Sequence, residues 1–284
     1  MYWVLTQNER KSTMNINFII HEPSDVYHEQ SRTGKYLSSH RLGDFRKSPK
    51  LYYKKMQGLI KESETSALFI GRAAHCLILE GSASFEEQYV VSDGPINPNT
   101  GEVYTKNTKA YATWKASQTK EIVSGTDFNL LAKLQQGVLE HSNANELLLN
   151  GVAEGVVRAE YCNMPCQIRM DWFNPDYGLV DLKTCENADR FKDDIYWNGY
   201  IHQMAFYRAV IRVATGITVP VTLIGVEKKE PCSARVIELS AEDLDVAEKI
   251  NSEAIKRLRE CYATGVWPTG YEGIERPIYF NKNK

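Results

Sequence analysis

At 284 residues, with 43% hydrophobic and 25% charged side chains, the chain has ordinary globular usage and is long enough for one sizeable α/β domain with decorations or two small domains. A formal net charge of −2 and a pI near 6.3 exclude a uniformly basic surface, although an acidic exterior is compatible with a local basic channel. The six cysteines form no C-x-x-C pair, and neither a signal-peptide core nor a membrane-length apolar run is present, so a reduced, cytoplasmic chain without a membrane span is expected.

In chain order, residues 1–38 are mixed and polar, and an N-terminal extension or an edge strand (Asn15–His21) is expected there. A helix is predicted over 40–57. From Arg41 to Lys55 it interleaves six basic residues with Phe45, Tyr52 and Tyr53. That composition suits phosphate contacts and base stacking, and equally suits a solvated helix face. The next helix, 64–80, carries an apolar run from Ala67 to Leu79 interrupted only by Arg72 and His75, with Thr65 or Ser66 as N-cap and Gly81 as its stop. An i,i+3 spacing puts Arg72 and His75 on one face, where both need partners. A phosphate and a metal are one solution; a core histidine bonded to backbone is the other. The Gly/Pro/Asn-rich segment 92–101 is an exposed loop, and helices are expected over 107–123 and 126–149.

A strand group follows over 154–184. The run Cys166 to Phe173 alternates, with Cys166, Ile168, Met170 and Trp172 on one face and Gln167, Arg169 and Asp171 on the other. Asn174-Pro175-Asp176-Tyr177-Gly178 is turn chemistry, and a turn centred on Asp176 sets Asp171 opposite Asp181, with Lys183 beside Asp181. Two facing aspartates repel unless a cation lies between them, and paired carboxylates on rigid strands supply the hard oxygen ligands that Mg²⁺ prefers. A neighbouring ammonium can orient an attacking water and stabilise charge on phosphorus. The structural alternative is a cross-strand Asp171–Lys183 ion pair, with Asp181 capping the turn. Cys162 and Cys166 flank a predicted hairpin tip, Asn163-Met164-Pro165, and no second clustered pair exists, so neither an iron–sulfur cluster nor a structural zinc is expected.

The segment 198–214 reads as a helix that places Gln203 and Tyr207 one turn apart on one side. Strands near 219–227 and 233–239 and a long helix after Ser240 complete the pattern. This order predicts an α/β fold, a central mixed β-sheet flanked by helices with a helical N-terminal decoration.

The ordered set Gly71-x-x-x-His75, Glu154, Asp171, Asp181-x-Lys183 and Gln203-x-x-x-Tyr207 resembles the PD-(D/E)xK nuclease superfamily, with its restriction-endonuclease-like core. More narrowly it is similar to the phage exonuclease VIII (RecE-type) C-terminal nuclease domain, over residues 39–284. Met170-Asp171 stands where the superfamily name has Pro-Asp. The resemblance implies that His75, Asp171, Asp181 and the carbonyl of Leu182 bind Mg²⁺, or Mn²⁺ in its place. It implies that Lys183 activates the hydrolytic water, and that Arg72, Gln203 and Tyr207 contact DNA. Glu154 corresponds to an acid serving a second metal or its water, a role for which Glu160 on the same predicted strand competes. The implied activity is exonucleolytic digestion of double-stranded DNA ends, 5′ to 3′, in phage-type recombination, by a ring-shaped homo-oligomer working with a single-strand annealing protein. A structure-specific or defence-related endonuclease, and a non-catalytic DNA-binding module, are the alternatives.

Overall fold

The computed structural model describes Met14 and residues 16–60 and 63–273. Its first part is helical: α1 (Ser24–Arg32), α2 (Ser39–Lys47), α3 (Pro49–Met56), α4 (Ser66–His75) and α5 (Gly81–Gln88). A π-helical turn, Cys76–Glu80, joins the last two. β1 (Tyr89–Val91), α6 (Lys109–Ser117) and β2 (Glu121–Val123) come next, β1 and β2 pairing in parallel, then α7 (Gly125–Glu140) and α8 (Ser142–Leu147). The central sheet holds β3 (Val152–Tyr161), β4 (Met164–Asn174), β5 (Gly178–Cys185), β6 (Val221–Glu227) and β7 (Ala234–Glu238), side by side in that order. α9 (Phe191–Trp197) and α10 (Tyr200–Thr215) connect β5 to β6, and α11 (Ala241–Thr264) follows β7.

The sheet is mixed. β3, β4 and β5 are antiparallel neighbours, β5 and β6 run parallel, and β7 returns antiparallel. A parallel step cannot be made by a hairpin, and α9 with α10 supplies the crossover. Helices cover both faces. α2, α10 and α11 pack over Ile168, Met170, Leu179 and Leu223. α4, α7 and the π-helical turn pack over Val180, Leu182, Ile224 and Val226. β5 therefore has to be apolar on both sides, because its alternate residues enter opposite cores. Asp181, wholly buried, breaks that rule.

Two turns set the strands that carry the acids. β3 and β4 are joined through Cys162 and Asn163 at φ 53° and 55°, the left-handed pair of a type I′ hairpin. The tip thus lies before the expected Asn163-Met164-Pro165, since Met164 and Pro165 already pair with Tyr161 and Glu160. At the β4–β5 turn, Asn174 Oδ1 accepts from the backbone N–H groups of Asp176 (2.9 Å) and Tyr177 (3.3 Å). The resulting register, Phe173 opposite Leu179 and Trp172 opposite Val180, is that of a turn centred on Asp176.

Several expected elements divide. The helix over 40–57 breaks at Ser48, an extended residue whose hydroxyl caps Leu51 N–H ahead of Pro49 at the first turn of α3. The helix over 64–80, capped by Thr65, passes into the π-helical turn, and Gly81 at φ 90° redirects the chain into α5 rather than ending it. The span 107–123 is α6 and then β2, because Ile122 and Val123 pair with β1. The helix over 126–149 is interrupted at His141, whose Nδ1 accepts from Ala144 N–H and starts α8. Of the edge strand expected over Asn15–His21, Asn15 lies outside the described residues. The remainder turns at Asn17 and makes one bridge, Ile20 to Val156. Trp172 does not share a face with Met170. It packs with Ala153 against the opposite core.

Candidate active site

The regular pairing of the sheet fails at one level. On β3 the ladder to β4 runs through Ala153 and Gly155 but omits Glu154, which would sit opposite Asp171. On the other side, the β4–β5 ladder ends at Trp172–Val180, leaving Asp171 unpaired again. Glu154 has φ 55°, a left-handed conformation that costs a side-chain-bearing residue about 1–2 kcal/mol. The local distortion reverses the in–out alternation, which explains why Trp172 and Phe173 face opposite cores from the strict pattern. It also turns the Glu154 and Asp171 carboxylates toward a common point. Ligand atoms of His75, Glu154 and Asp171 all lie within 4.8 Å of one another.

Asp171 Oδ2 accepts the Leu182 backbone N–H at 2.9 Å, so the strands are bridged by a side chain where their backbones separate. Lys183 Nζ lies 2.5 Å from Asp181 Oδ2 and 3.9 Å from Asp171 Oδ2, and 5.2 Å from the centre of the Tyr200 ring. Asp181 Oδ1 is buried with no hydrogen-bond donor. Burial, then repulsion from Asp171, pushes the Asp181 carboxyl up to about 7, and the same two causes in the same order bring Glu154 to about 7. Burial also raises Asp171, against the pull of Lys183. For Lys183 burial opposes the charge, but Asp181 and Asp171 outweigh it and hold the ammonium protonated. Too many carboxylates share too little solvent, the condition a cation relieves.

His75 enters from α4, its Nδ1 3.6 Å from Asp171 Oδ2. Burial, then the Lys183 charge, lowers the imidazole to about 4, so it is neutral and keeps a lone pair. The π-helical turn begins at the next residue, and single π turns inside helices recur at functional sites. Arg72 lines the same cleft, and its guanidinium pairs with Glu64 (2.9 Å) and Glu121 (2.5 Å). Gln203 and Tyr207 approach from α10 on the other face of the sheet, with Gln203 Nε2 donating to the Tyr207 hydroxyl at 3.3 Å. Glu160 is exposed at the far end of β3 opposite Pro165, away from the cluster.

His75, Glu154, Asp171, Lys183, Gln203 and Tyr207 line an open cleft of about 2090 Å³, with Asp181 buried behind it. Of the basic stretch from Arg41 to Lys55, Arg41, Arg46 and Lys47 line it, while Lys55 pairs with the cleft residue Asp44 at 2.8 Å. Lys228, Lys249 and Arg257 join them from other elements, and basic lining side chains outnumber acidic ones. Arg169 pairs with Glu154 and leaves Nη1 buried without a partner. Strand alternation already put Arg169 on the side of Asp171, so that much was readable. Nothing in the sequence pointed to Tyr200 or Trp197 as cleft residues. Among the described residues, His75, Glu154 and Asp171 are the grouping with metal-ligand spacing, and the six cysteines are free thiols.

Comparison with known proteins adds the family. The model of a PDDEXK-like domain of unknown function matches residues 38–277. No curated protein matches the sequence. Among solved structures, the fold is similar to that of a protein from Eubacterium rectale with a provisional exonuclease designation. The TM-score is 0.65 at 18% identity, covering 92% of this chain and 97% of that one, a likeness of fold. Among the described residues, no helix is long and apolar enough to cross a membrane.

Proposed function

This chain belongs to the PDDEXK-like domain family, and from that premise we propose that it is a metal-dependent deoxyribonuclease that degrades double-stranded DNA from its ends. The observation that carries the reading is the convergence of His75, Glu154 and Asp171 beside the buried Asp181 carboxylate and the Lys183 ammonium paired with it, at the foot of a basic-lined cleft. The cleft exceeds the roughly 300–1,000 Å³ of small-molecule pockets, as a polymer substrate requires.

The donor set fits a hard divalent ion. Carboxylate oxygens suit Mg²⁺ and a neutral imidazole is tolerated better by Mn²⁺, so both are candidates. His75, Asp171, Asp181 and the Leu182 carbonyl would hold it, with Glu154 serving a second ion or its water. A divalent cation there supplies Lewis acidity and neutralises charge on the phosphodiester. Lys183, held protonated by its two acidic neighbours, orients the attacking water and donates to the oxygen that gains charge. Arg72, Gln203 and Tyr207 hold the strand being cut, Arg72 once its partners Glu64 and Glu121 exchange for phosphate.

Exonuclease action, 5′ to 3′ polarity, a processive ring of identical chains, and delivery of the 3′ strand to a single-strand annealing protein in the cytoplasm are carried over from the RecE-type resemblance. The exonuclease designation of the E. rectale structure supports the first of them. The test is linear duplex DNA labelled at either end, beside a closed circle, with Mg²⁺ or EDTA. Early loss of the 5′ label with the circle intact is the expected result. Cutting of the circle would replace the proposal by an endonuclease, and absence of any metal-dependent cutting by a binding module.

A further inference from the structure

Trp197 is 86% exposed, more than any other large apolar side chain among the described residues, and it lines the same cleft as the carboxylates. Its stem is fixed. Phe191 and Ile195, one helical turn apart on α9, are buried, and a Cβ on Gly225 of β6 would come within 2.5 Å of the Phe191 ring. The Tyr196 hydroxyl donates to Asp243 Oδ2 at 3.2 Å, tying the next residue to the start of α11. A rigidly mounted indole facing solvent has apolar area that nothing in the described chain covers.

A cation lines the same cleft, close to the chain just beyond it. Arg46 Nη2 lies 3.7 Å from where a Cβ on Gly199 would be, two residues beyond the indole. Its Nη1 donates to Asn251 Oδ1 at 3.2 Å, and its Nε is buried without a partner. Among the described residues no carboxylate pairs with it, and burial draws its pKa down to about 10. A guanidinium without a carboxylate partner and an uncovered aromatic face on the same cleft, with Arg46 reaching the backbone two residues from the indole, match the two halves of a nucleotide: phosphate and base.

We infer that Trp197 and Arg46 form a nucleotide subsite on the cleft wall, the indole stacking on an unpaired base and the guanidinium binding that nucleotide's phosphate. The strand therefore enters the cleft single-stranded. This deepens the nuclease reading and rests on it for the identity of the ligand.

The experiment titrates the full chain in EDTA with oligo-dT and with an abasic oligomer of equal length, following indole emission. The two probes carry the same phosphates and differ in their bases. Oligo-dT is expected to quench emission and bind about tenfold more tightly. Trp197→Ala should abolish both the quenching and the preference, whereas Trp197→Phe should keep the preference without the quenching. Arg46→Gln should weaken both oligomers alike. Equal affinity of the wild type for the two probes, a Trp197→Ala chain that keeps the preference, or quenching that follows protein concentration without oligomer would each overturn the inference. Because Trp197 is exposed, its variants should unfold at the wild-type midpoint. The assay needs neither metal nor cleavage. A chain that prefers oligo-dT yet cuts no DNA loses the nuclease reading alone, and one that cuts DNA without the preference loses this subsite alone.

Discussion

Asp181 sits in an environment that its side chain opposes. A carboxylate with no exposure, one oxygen unbonded and a second carboxylate nearby is expensive to hold, and the Lys183 ammonium at 2.5 Å offsets only part of that cost. A divalent cation should therefore bind the folded state and stabilise it. At about one hundred times its dissociation constant it adds roughly 2.7 kcal/mol, raising the unfolding midpoint by roughly 5 °C or more. Asp181→Asn keeps the shape and removes the charge. Thermal scans with and without Mn²⁺ should show the rise in the wild type and little in the variant, and an equal rise in both would remove Asp181 from the site. The same variant should lose metal-dependent cleavage by roughly 10²–10³-fold, read from initial rates on linear duplex.

Among the elements, α11 and α9 frame the cleft, and each has one residue on which its placement turns. Ser240 caps α11, its hydroxyl accepting from Asp243 N–H at 3.1 Å and donating to Asp243 Oδ2 at 2.8 Å. Ser240→Ala should cost about 1 kcal/mol in urea unfolding, and an unchanged midpoint would mean that tertiary contacts alone hold that end. Gly225 gives α9 its seat, since any Cβ there meets the Phe191 ring. Gly225→Ala should destabilise by about 1–3 kcal/mol and, by lifting α9, weaken nucleic-acid binding as well. Near-wild-type stability would show that Phe191 repacks freely.

For the whole molecule the informative quantity is the distribution of charge rather than its sum. A net charge of −2 gives no general attraction for DNA, whereas the cleft collects basic groups from α2, α11 and β6 onward. Binding should therefore be local and electrostatic. The association constant for duplex DNA in EDTA should fall with salt with a log–log slope of about −3.6, as expected if roughly four phosphates are contacted. A slope near zero would mean that the cleft does not bind the backbone.

The acids and lysine of β4 and β5 were legible in the sequence because a strand has period two and a Pro/Gly turn sets the register. Asp171, Asp181 and Lys183 could be placed before any fold was known. The Ser240 cap and the mixed sheet followed from equally local rules. Glu154 was different: its left-handed φ and the reversal of alternation beside it arise from the two strands parting around the site, which no pattern within one strand encodes. Three-residue strands such as β1 and β2 exist only through their partner, and α9 is too short to announce itself against its neighbours. The same limit divided the basic stretch after Arg41, sending Arg46 of α2 to the cleft and Lys55 of α3 to Asp44, because the break at Ser48 aims the two helices differently and no single helical period spans both. Sequence determined which chemical groups the chain owns and, within single elements, which face they share. Only the tertiary structure decided which of them meet, since burial, repulsion and an unmatched guanidinium sharing a cleft with Trp197 are properties of packed neighbours that lie far apart along the chain.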